Sequence, residues 1–467
     1  MTNFLRQRLK ATIPAMIGSL AAFVSPLQAQ DTAPASAPSP APTIAPQPVL
    51  PVPAPQASPA VAPVIQPLPG TEAPEPIPVR EWEVKDARAL LETIEGIGAE
   101  GLAPADYLPN DLRRAIEQGK GPELDRAASR SFAWLAEDLR DGRTPMESRK
   151  QWFVVDPDVE LMPTATLLER ALAIHDVPGV LASLAPTHPD YAVLKRMLAE
   201  TPPGDKARRT KIRANMDRWR WLARDLGGTY LLTNVPEFQL RLTVNHNVIR
   251  SYRTVVGKPG STATPQLAEI VEGVIFNPTW TVPQSIVKGE GLGARLLANP
   301  ARARAQGYKV TRGSDGFVTV VQQPGPNNAL GLIKLDMPNP HAIFLHDTPG
   351  KDAFNLDIRA LSHGCVRTER ALEMGMTMAI LGEGATKDEA IAIVNSGEYT
   401  KVTLKKTFPV YITYFTMAQD IDGKMRSFGD IYGRDAPVLA SFDAPRQQKT
   451  GARTTGEAVV PIEAPGA

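Results

Sequence analysis

Sixteen of the chain's 45 prolines fall between Gln30 and Pro78, and that stretch decides how much of the 467 residues can become a folded core. Proline fixes φ and lacks an amide hydrogen, so a run this dense is excluded from helix interiors and central strands. The other residues there are almost wholly Ala, Ser, Val and Gln, which predicts an extended, partly polyproline-II linker over residues 30–79. Ahead of it, Arg6, Arg8 and Lys10 precede an uncharged run from Ala11 to Val24 and then Ser25-Pro26-Leu27-Gln28-Ala29. That order predicts a secretory signal peptide over 1–29, with an uncleaved anchor as the alternative. The apolar run is shorter than the roughly 20 residues of a comfortable membrane span, and no later segment qualifies, so the mature chain is expected to hold no transmembrane segment. Losing three positive charges and no acid takes the formal charge from +1 to −2. A near-neutral surface leaves no electrostatic footprint for nucleic acid. Residues 444–467 are polar and rich in Pro and Gly, and are expected to be a disordered tail.

About 365 residues remain, which suits two folded units of an α+β chain. Residues 80–228 carry helical periodicity in Asp86–Ile94, Ser131–Arg140 and Ala165–Leu172, separated by Pro104, Pro109, Pro145, Pro157 and Pro178. Lys211–Leu226 predicts a basic helix with Trp219 and Trp221. Its arginines fit a solvated face, the tryptophans gripping the next domain, or alternatively an anion site. His175 and His188 stand without a partner motif and are expected to be structural. From residue 229 to 443 the chain turns β-prone, with Tyr230–Val235, Phe238–Val244 and Val248–Val256 as strands and His246 in a turn between two of them. A long segment, about 278–329, interrupts the strands with a helix candidate at Gly291–Leu297. It reads as a cap over a site or as irregular surface elaboration.

The one cysteine, Cys365, lies in Ser362-His363-Gly364-Cys365-Val366-Arg367, downstream of His346 in Phe344-Leu345-His346-Asp347-Thr348-Pro349. A lone thiol cannot form an intramolecular disulfide, and among small and polar neighbours with two histidines nearby it has the composition of a nucleophile. An imidazole that accepts the thiol proton would create a thiolate–imidazolium pair. His346 is the better base if Ala342–Leu345 ends a strand, since His363 would point away from the cysteine in an extended segment. The carbonyl of Asp347 could fix the tautomer of His346. Gly364 and Cys365 could offer their amides as an oxyanion hole, and a helix at Ala371–Leu381 would direct its positive end toward this region. Zinc on His341, His346, His363 and Cys365 is one rival reading, weakened because His341 and His346 would face opposite sides of a strand. A papain-like order is excluded because no histidine follows Cys365. A non-catalytic wall-binding scaffold with a buried cysteine is the third rival.

The pattern of His346 followed by Ser362-His363-Gly364-Cys365 resembles the L,D-transpeptidases with a YkuD-type catalytic domain. Ala214–Leu222, Val256–Pro259, Phe276–Trp280 and Pro324–Gly331 extend the resemblance to the large Gram-negative branch, over most of residues 80–440. It implies a β-rich catalytic domain with a cap insertion behind a helical scaffold domain, in the periplasm, acting on peptidoglycan stem peptides with no metal or organic cofactor. Cys365 would be the nucleophile and His346 the base, with His363, Gly364 and Asp347 supporting them and Ser362, Trp280 and Arg367 meeting substrate. Arg367 could hold a carboxylate bidentately, or form a structural ion pair. The product would be a 3–3 or a 1–3 cross-link, with carboxypeptidase or endopeptidase chemistry as alternatives. That branch usually carries a peptidoglycan-binding domain, for which the short passage from Tyr191–Lys195 to Lys211 leaves no room.

Overall fold

The computed structural model describes residues 75–455 and 457; the expected signal peptide, most of the linker and the last residues of the tail lie outside them. The architecture is α+β. Eight helices come first: α1 Val84–Gly96, α2 Pro109–Gln118, α3 Pro122–Asp141, α4 Asp158–Leu161, α5 Thr164–Ala173, α6 Val177–Ala182, α7 Pro189–Glu200 and α8 Lys206–Trp219. In α3, Leu124, Ala128, Phe132, Leu135, Ala136 and Leu139 recur three or four residues apart, so one stripe is apolar and buries against α1, α2 and α5. Trp82, Ala87, Leu90, Ile94 and Leu168 complete that core. His175 holds the buried Asp86 at 2.7 Å.

Strands follow: β1 Thr229–Asn234, β2 Gln239–Val244, β3 Asn247–Gly257 and β4 Leu267–Phe276. The chain then leaves the sheet for the cap, made of β5 Trp280–Thr281, a single π turn, α9 Leu292–Ala298, α10 Pro300–Ala305, β6 Tyr308–Arg312 and β7 Val318–Gln322. Strands β5, β7 and β6 form a separate small sheet over a core of Val282, Val287, Leu296, Ala303 and Val320. Asn328 fastens its two ends: its side-chain amide donates to the carbonyls of Pro278 (2.9 Å) and Gln323 (2.9 Å).

The chain re-enters as β8 Ile333–Asp336, β9 Leu345–His346, β10 Ala360–Ser362 and β11 Val366–Thr368. It continues through α11 Ala371–Leu381, α12 Lys387–Ser396, β12 Thr400–Thr413, β13 Met417–Gln419, β14 Met425–Ser427 and α13 Asp435–Asp443. The main sheet runs β10-β3-β11-β9-β8-β4-β12-β1-β2, and β2 also pairs with β3. One face carries Ile333, Leu335, Leu345 and Val366, covered by Ala371, Met374 and Met378 of α11. Sequence neighbours alternate across a strand, so Lys334, His346 and Arg367 occupy the other face.

Helix α8 differs from the sequence expectation. Arg208 at its start is exposed, but Arg218 is buried against Asp435 at 2.6 Å, and Arg220, just past the helix, is buried beside Asp217 and Tyr191. Asn215 accepts from the amides of Thr416 (2.9 Å) and Met417 (3.2 Å), and Trp219 stacks on Phe415 with centroids 4.3 Å apart. The helix thus joins the helical region to the β12–β13 connection through buried, directional contacts. Asp217, 1% exposed, accepts from Arg143 N (2.6 Å), Thr144 N (3.0 Å) and the Trp221 indole (3.0 Å).

In the segment expected to be a disordered tail, residues 444–455 make specific contacts, and its basic residues meet acids of α3. Arg446 pairs with Glu137 (2.7 Å) and Asp138 (3.0 Å), Lys449 donates to the carbonyls of Glu137 and Gly142, and Thr455 N donates to Trp152 O (3.0 Å). Glu75 N, at the near end of the expected linker, donates to Lys449 O (2.9 Å).

Removing the acid from the α8 network strands several buried donors at once. Asp217→Ala is expected to lower the unfolding free energy by about 3 kcal/mol, read as a lower urea midpoint at unchanged slope.

Candidate active site

The segment holding Cys365 is shaped by Ser362 and Gly364. The Ser362 hydroxyl donates to the Cys365 carbonyl (2.6 Å) and accepts from the Gly364 amide (3.2 Å), closing a tight turn between β10 and β11. Gly364 sits at φ +119°, where a side chain would be strained, and a Cβ there would lie 3.1 Å from Ile343 Cδ1. From behind, Thr264 donates to the Gly364 carbonyl (2.7 Å) and accepts from Gly257 N (2.8 Å), while the Tyr432 hydroxyl donates to Gly257 O (2.6 Å). Nothing in the local spacing of the sequence marks Thr264 or Tyr432 as supports of this turn.

Strand β11 pairs in parallel with β9, Val366 opposite Leu345 and Arg367 opposite His346, while β8 sets Lys334 opposite His346 from the other side. His346 is therefore flanked by a cation on each neighbouring strand. Its Nδ1 lies 2.5 Å from the Asp347 carbonyl oxygen, which can only accept, so Nδ1 carries the proton and Nε2 has the free lone pair. The Asp347 carboxylate turns away, accepting from Leu332 N (2.9 Å) and pairing with Lys351. Gly331 makes room for it, since a Cβ there would overlap that carboxylate.

Cys365 is half-buried, and its thiol lies 3.6 Å from the Ala342 carbonyl. Among the described residues no hydrogen bond joins Sγ to the imidazole. Burial pushes the Cys365 thiol up, against the opposing pull of a Phe344 backbone contact and the charges of Lys334 and Arg367. Burial, with Arg367 and Lys334 alongside, brings His346 down to about 4. Both shifts favour the neutral thiol and the neutral imidazole over the thiolate–imidazolium pair the sequence suggested. Burial disfavours both charged forms, and the adjacent cations oppose an imidazolium.

The other sequence candidates take different places. His363 points to the cap, with Nε2 2.9 Å from Glu290 Oε1. Trp280 is half-buried in the cap against its own core. The Gly364 amide is already taken by Ser362, so of the two oxyanion donors expected from sequence only the Cys365 amide is left without a partner among the described residues. Arg367 makes no ion pair among the described residues. His341, one arm of the zinc reading, packs on Phe153 with centroids 4.2 Å apart. Among the described residues no three His, Cys, Asp or Glu side chains cluster as metal ligands, and no helix is long and apolar enough to cross a membrane.

The electrostatics fix a pH signature. The imidazole is in its basic form above about 4, and the thiol ionises only above its ordinary value near 9. Alkylation of Cys365 by iodoacetamide should therefore keep rising through pH 9, about tenfold per unit below the midpoint. A plateau reached at neutral pH would contradict the neutral pair.

Residues 228–376, which contain His346 and the whole Ser362–Arg367 segment, match the L,D-transpeptidase catalytic domain (YkuD), and residues 82–198 match the Scaffold domain. A Haemophilus influenzae protein named "Putative L,D-transpeptidase" is 28% identical over 243 residues, covering 49% of this chain and 48% of that protein. The chain thus spans about half the length of that curated relative. Among solved structures, the L,D-transpeptidase from Mycobacterium smegmatis is 12% identical over 40% of this chain and 58% of its own, at a TM-score of 0.21. L,D-transpeptidase 3 from Mycobacterium tuberculosis with a faropenem-derived adduct is 12% identical over 40% and 60%, also at 0.21. The chain thus carries a YkuD-type L,D-transpeptidase catalytic domain over residues 228–376, behind a Scaffold domain over residues 82–198.

Proposed function

We propose that the protein is an exported, cysteine-dependent peptidoglycan L,D-transpeptidase acting in the periplasm. The observation that carries this reading is the parallel pairing of β9 with β11 inside the matched domain, which sets His346, its tautomer fixed, beside the strand that Cys365 opens. Cys365 Sγ attacks the carbonyl joining the L-centre of diaminopimelate to D-Ala in a donor stem peptide, while His346 Nε2 takes the thiol proton. The resulting oxyanion faces the free Cys365 amide. Collapse expels D-Ala, whose nitrogen receives the proton from His346, and leaves a thioester. An acceptor amine then attacks the thioester, losing a proton to His346, which returns it to sulfur. Because thiol and imidazole rest neutral, the proton moves during attack rather than before it.

The acceptor in this reading is the side-chain amine of a second diaminopimelate, giving a 3–3 cross-link. Attack instead on the carbonyl of L-Ala, the first stem residue, with expulsion of the amine that follows it, would give a 1–3 cross-link, and water as acceptor would make the enzyme a carboxypeptidase or endopeptidase. Arg367, without an acid partner among the described residues, is suited to hold a substrate carboxylate. Ser362 and Gly364 act through the shape of the turn, and His363 through the cap.

Purified disaccharide-tetrapeptide and disaccharide-tripeptide, incubated with the enzyme and read by mass spectrometry, distinguish these outcomes by product mass and fragmentation. Cys365→Ala should abolish product formation, a loss of at least about a thousandfold. A variant that kept full activity would reject the proposal.

A further inference from the structure

The row of residues on the open face of the sheet carries more charge than a cysteine–histidine pair requires. Lys334, His346 and Arg367 stand opposite one another on β8, β9 and β11, and Cys365 lies two residues before Arg367. Lys334 and Arg367 are both half-buried. Among the described residues neither forms an ion pair. The carboxylates nearest in sequence to this row are committed elsewhere: Asp336 to Lys401 (2.6 Å), Asp347 to Lys351 and the Leu332 amide. The Lys334 ammonium sits 3.5 Å from the centroid of the Phe344 ring, a contact that holds it in place without neutralising it. Two desolvated cations beside a nucleophile, with no counter-charge supplied by the protein, leave an anion as the missing half of the arrangement.

We propose that Lys334 and Arg367 together form a carboxylate-binding subsite at Cys365, in which Lys334 is a substrate-binding residue. Arg367 offers a planar fork and Lys334 a point charge from the opposite side of His346, so a carboxylate lying over the row meets both. The subsite orients a donor whose carboxylate lies close to the carbonyl under attack. For the identity of that donor, a diaminopimelate stem with its free side-chain carboxylate, the inference rests on the transpeptidase reading. The subsite itself does not.

Two alkylating reagents separate these levels. Iodoacetate carries a carboxylate and iodoacetamide is its neutral counterpart, and both consume the same thiolate. The ratio of their rates on the full-length protein therefore cancels any change in thiol ionisation. The iodoacetate to iodoacetamide ratio at Cys365 should exceed that of free cysteine by about tenfold and fall toward the free value in Lys334→Met. It should persist in Lys334→Arg, and it should shrink for the unmodified protein as salt is raised to about 0.5 M. Should Lys334→Met not fold, Arg367→Gln and the salt series carry the same test. A ratio equal to that of free cysteine, or one untouched by both substitutions and by salt, overturns the subsite. With peptide donors, Lys334→Met should raise KM about tenfold more for a stem with free diaminopimelate carboxylate than for an amidated stem. Equal effects on both stems overturn Lys334 as a donor-binding residue. An intact alkylation ratio with no cross-linking of any stem would reject the transpeptidase reading while keeping the subsite.

Discussion

The amide of Val366 donates to the carbonyl of Phe344 at 2.9 Å, and the chemistry of the protein hangs on that backbone bond. It starts the parallel pairing of β9 and β11, bringing a histidine and a cysteine from separate segments onto adjacent strands. Parallel neighbours cannot be joined by a tight turn, so the chain between them runs out through a 3-10 turn at Lys351–Asn355 and back along β10. The return is secured by Ser362 and Thr264, which bind the backbone of the cysteine turn from two sides. The reactive sulfur is therefore placed by main-chain contacts and buried hydroxyls rather than by a direct tie to its base.

That placement sets the electrostatics. A sheet face that is apolar on one side and charged on the other lets α11 seal the core while Lys334, His346 and Arg367 stay together in partial desolvation. Burial alone would keep thiol and imidazole neutral, and the two cations reinforce this for the imidazole. They oppose it for the thiol, which favours negative charge at sulfur and on whatever binds in front of it. In the proposed reading, these cations receive the substrate's anion and the thiolate forms transiently.

Much of this was legible in the residues. The helical stripe of α3, the β-prone runs at Tyr230–Val235 and Phe238–Val244, the interruption at residues 278–329 and the adjacency of Ser362, His363, Gly364 and Cys365 all appear as periodicity or composition. What did not appear were consequences of partners distant in sequence. Lys334 is an ordinary strand lysine until its register against His346 is known. Arg218 and Arg220 look solvated because two of the acids they meet, Asp435 and Glu100, lie far along the chain. Gly364 suggested an oxyanion donor, yet the hydroxyl two residues earlier takes its amide. The thiolate–imidazolium pair was inferred from residue types, whereas protonation depends on burial and on charges that other strands supply.

Residues 444–455 looked unstructured for the same reason, since their ordering comes from acids of α3 rather than from apolar area. Their return alters the mechanics of the whole assembly. The catalytic region is tethered to the helices at its start through α8 and again at its finish through Arg446 and Lys449. Two tethers acting in parallel remove the single pivot about which the halves could swing. The cap, by contrast, has its ends drawn together at Asn328 and meets the cysteine segment through Glu290 and His363.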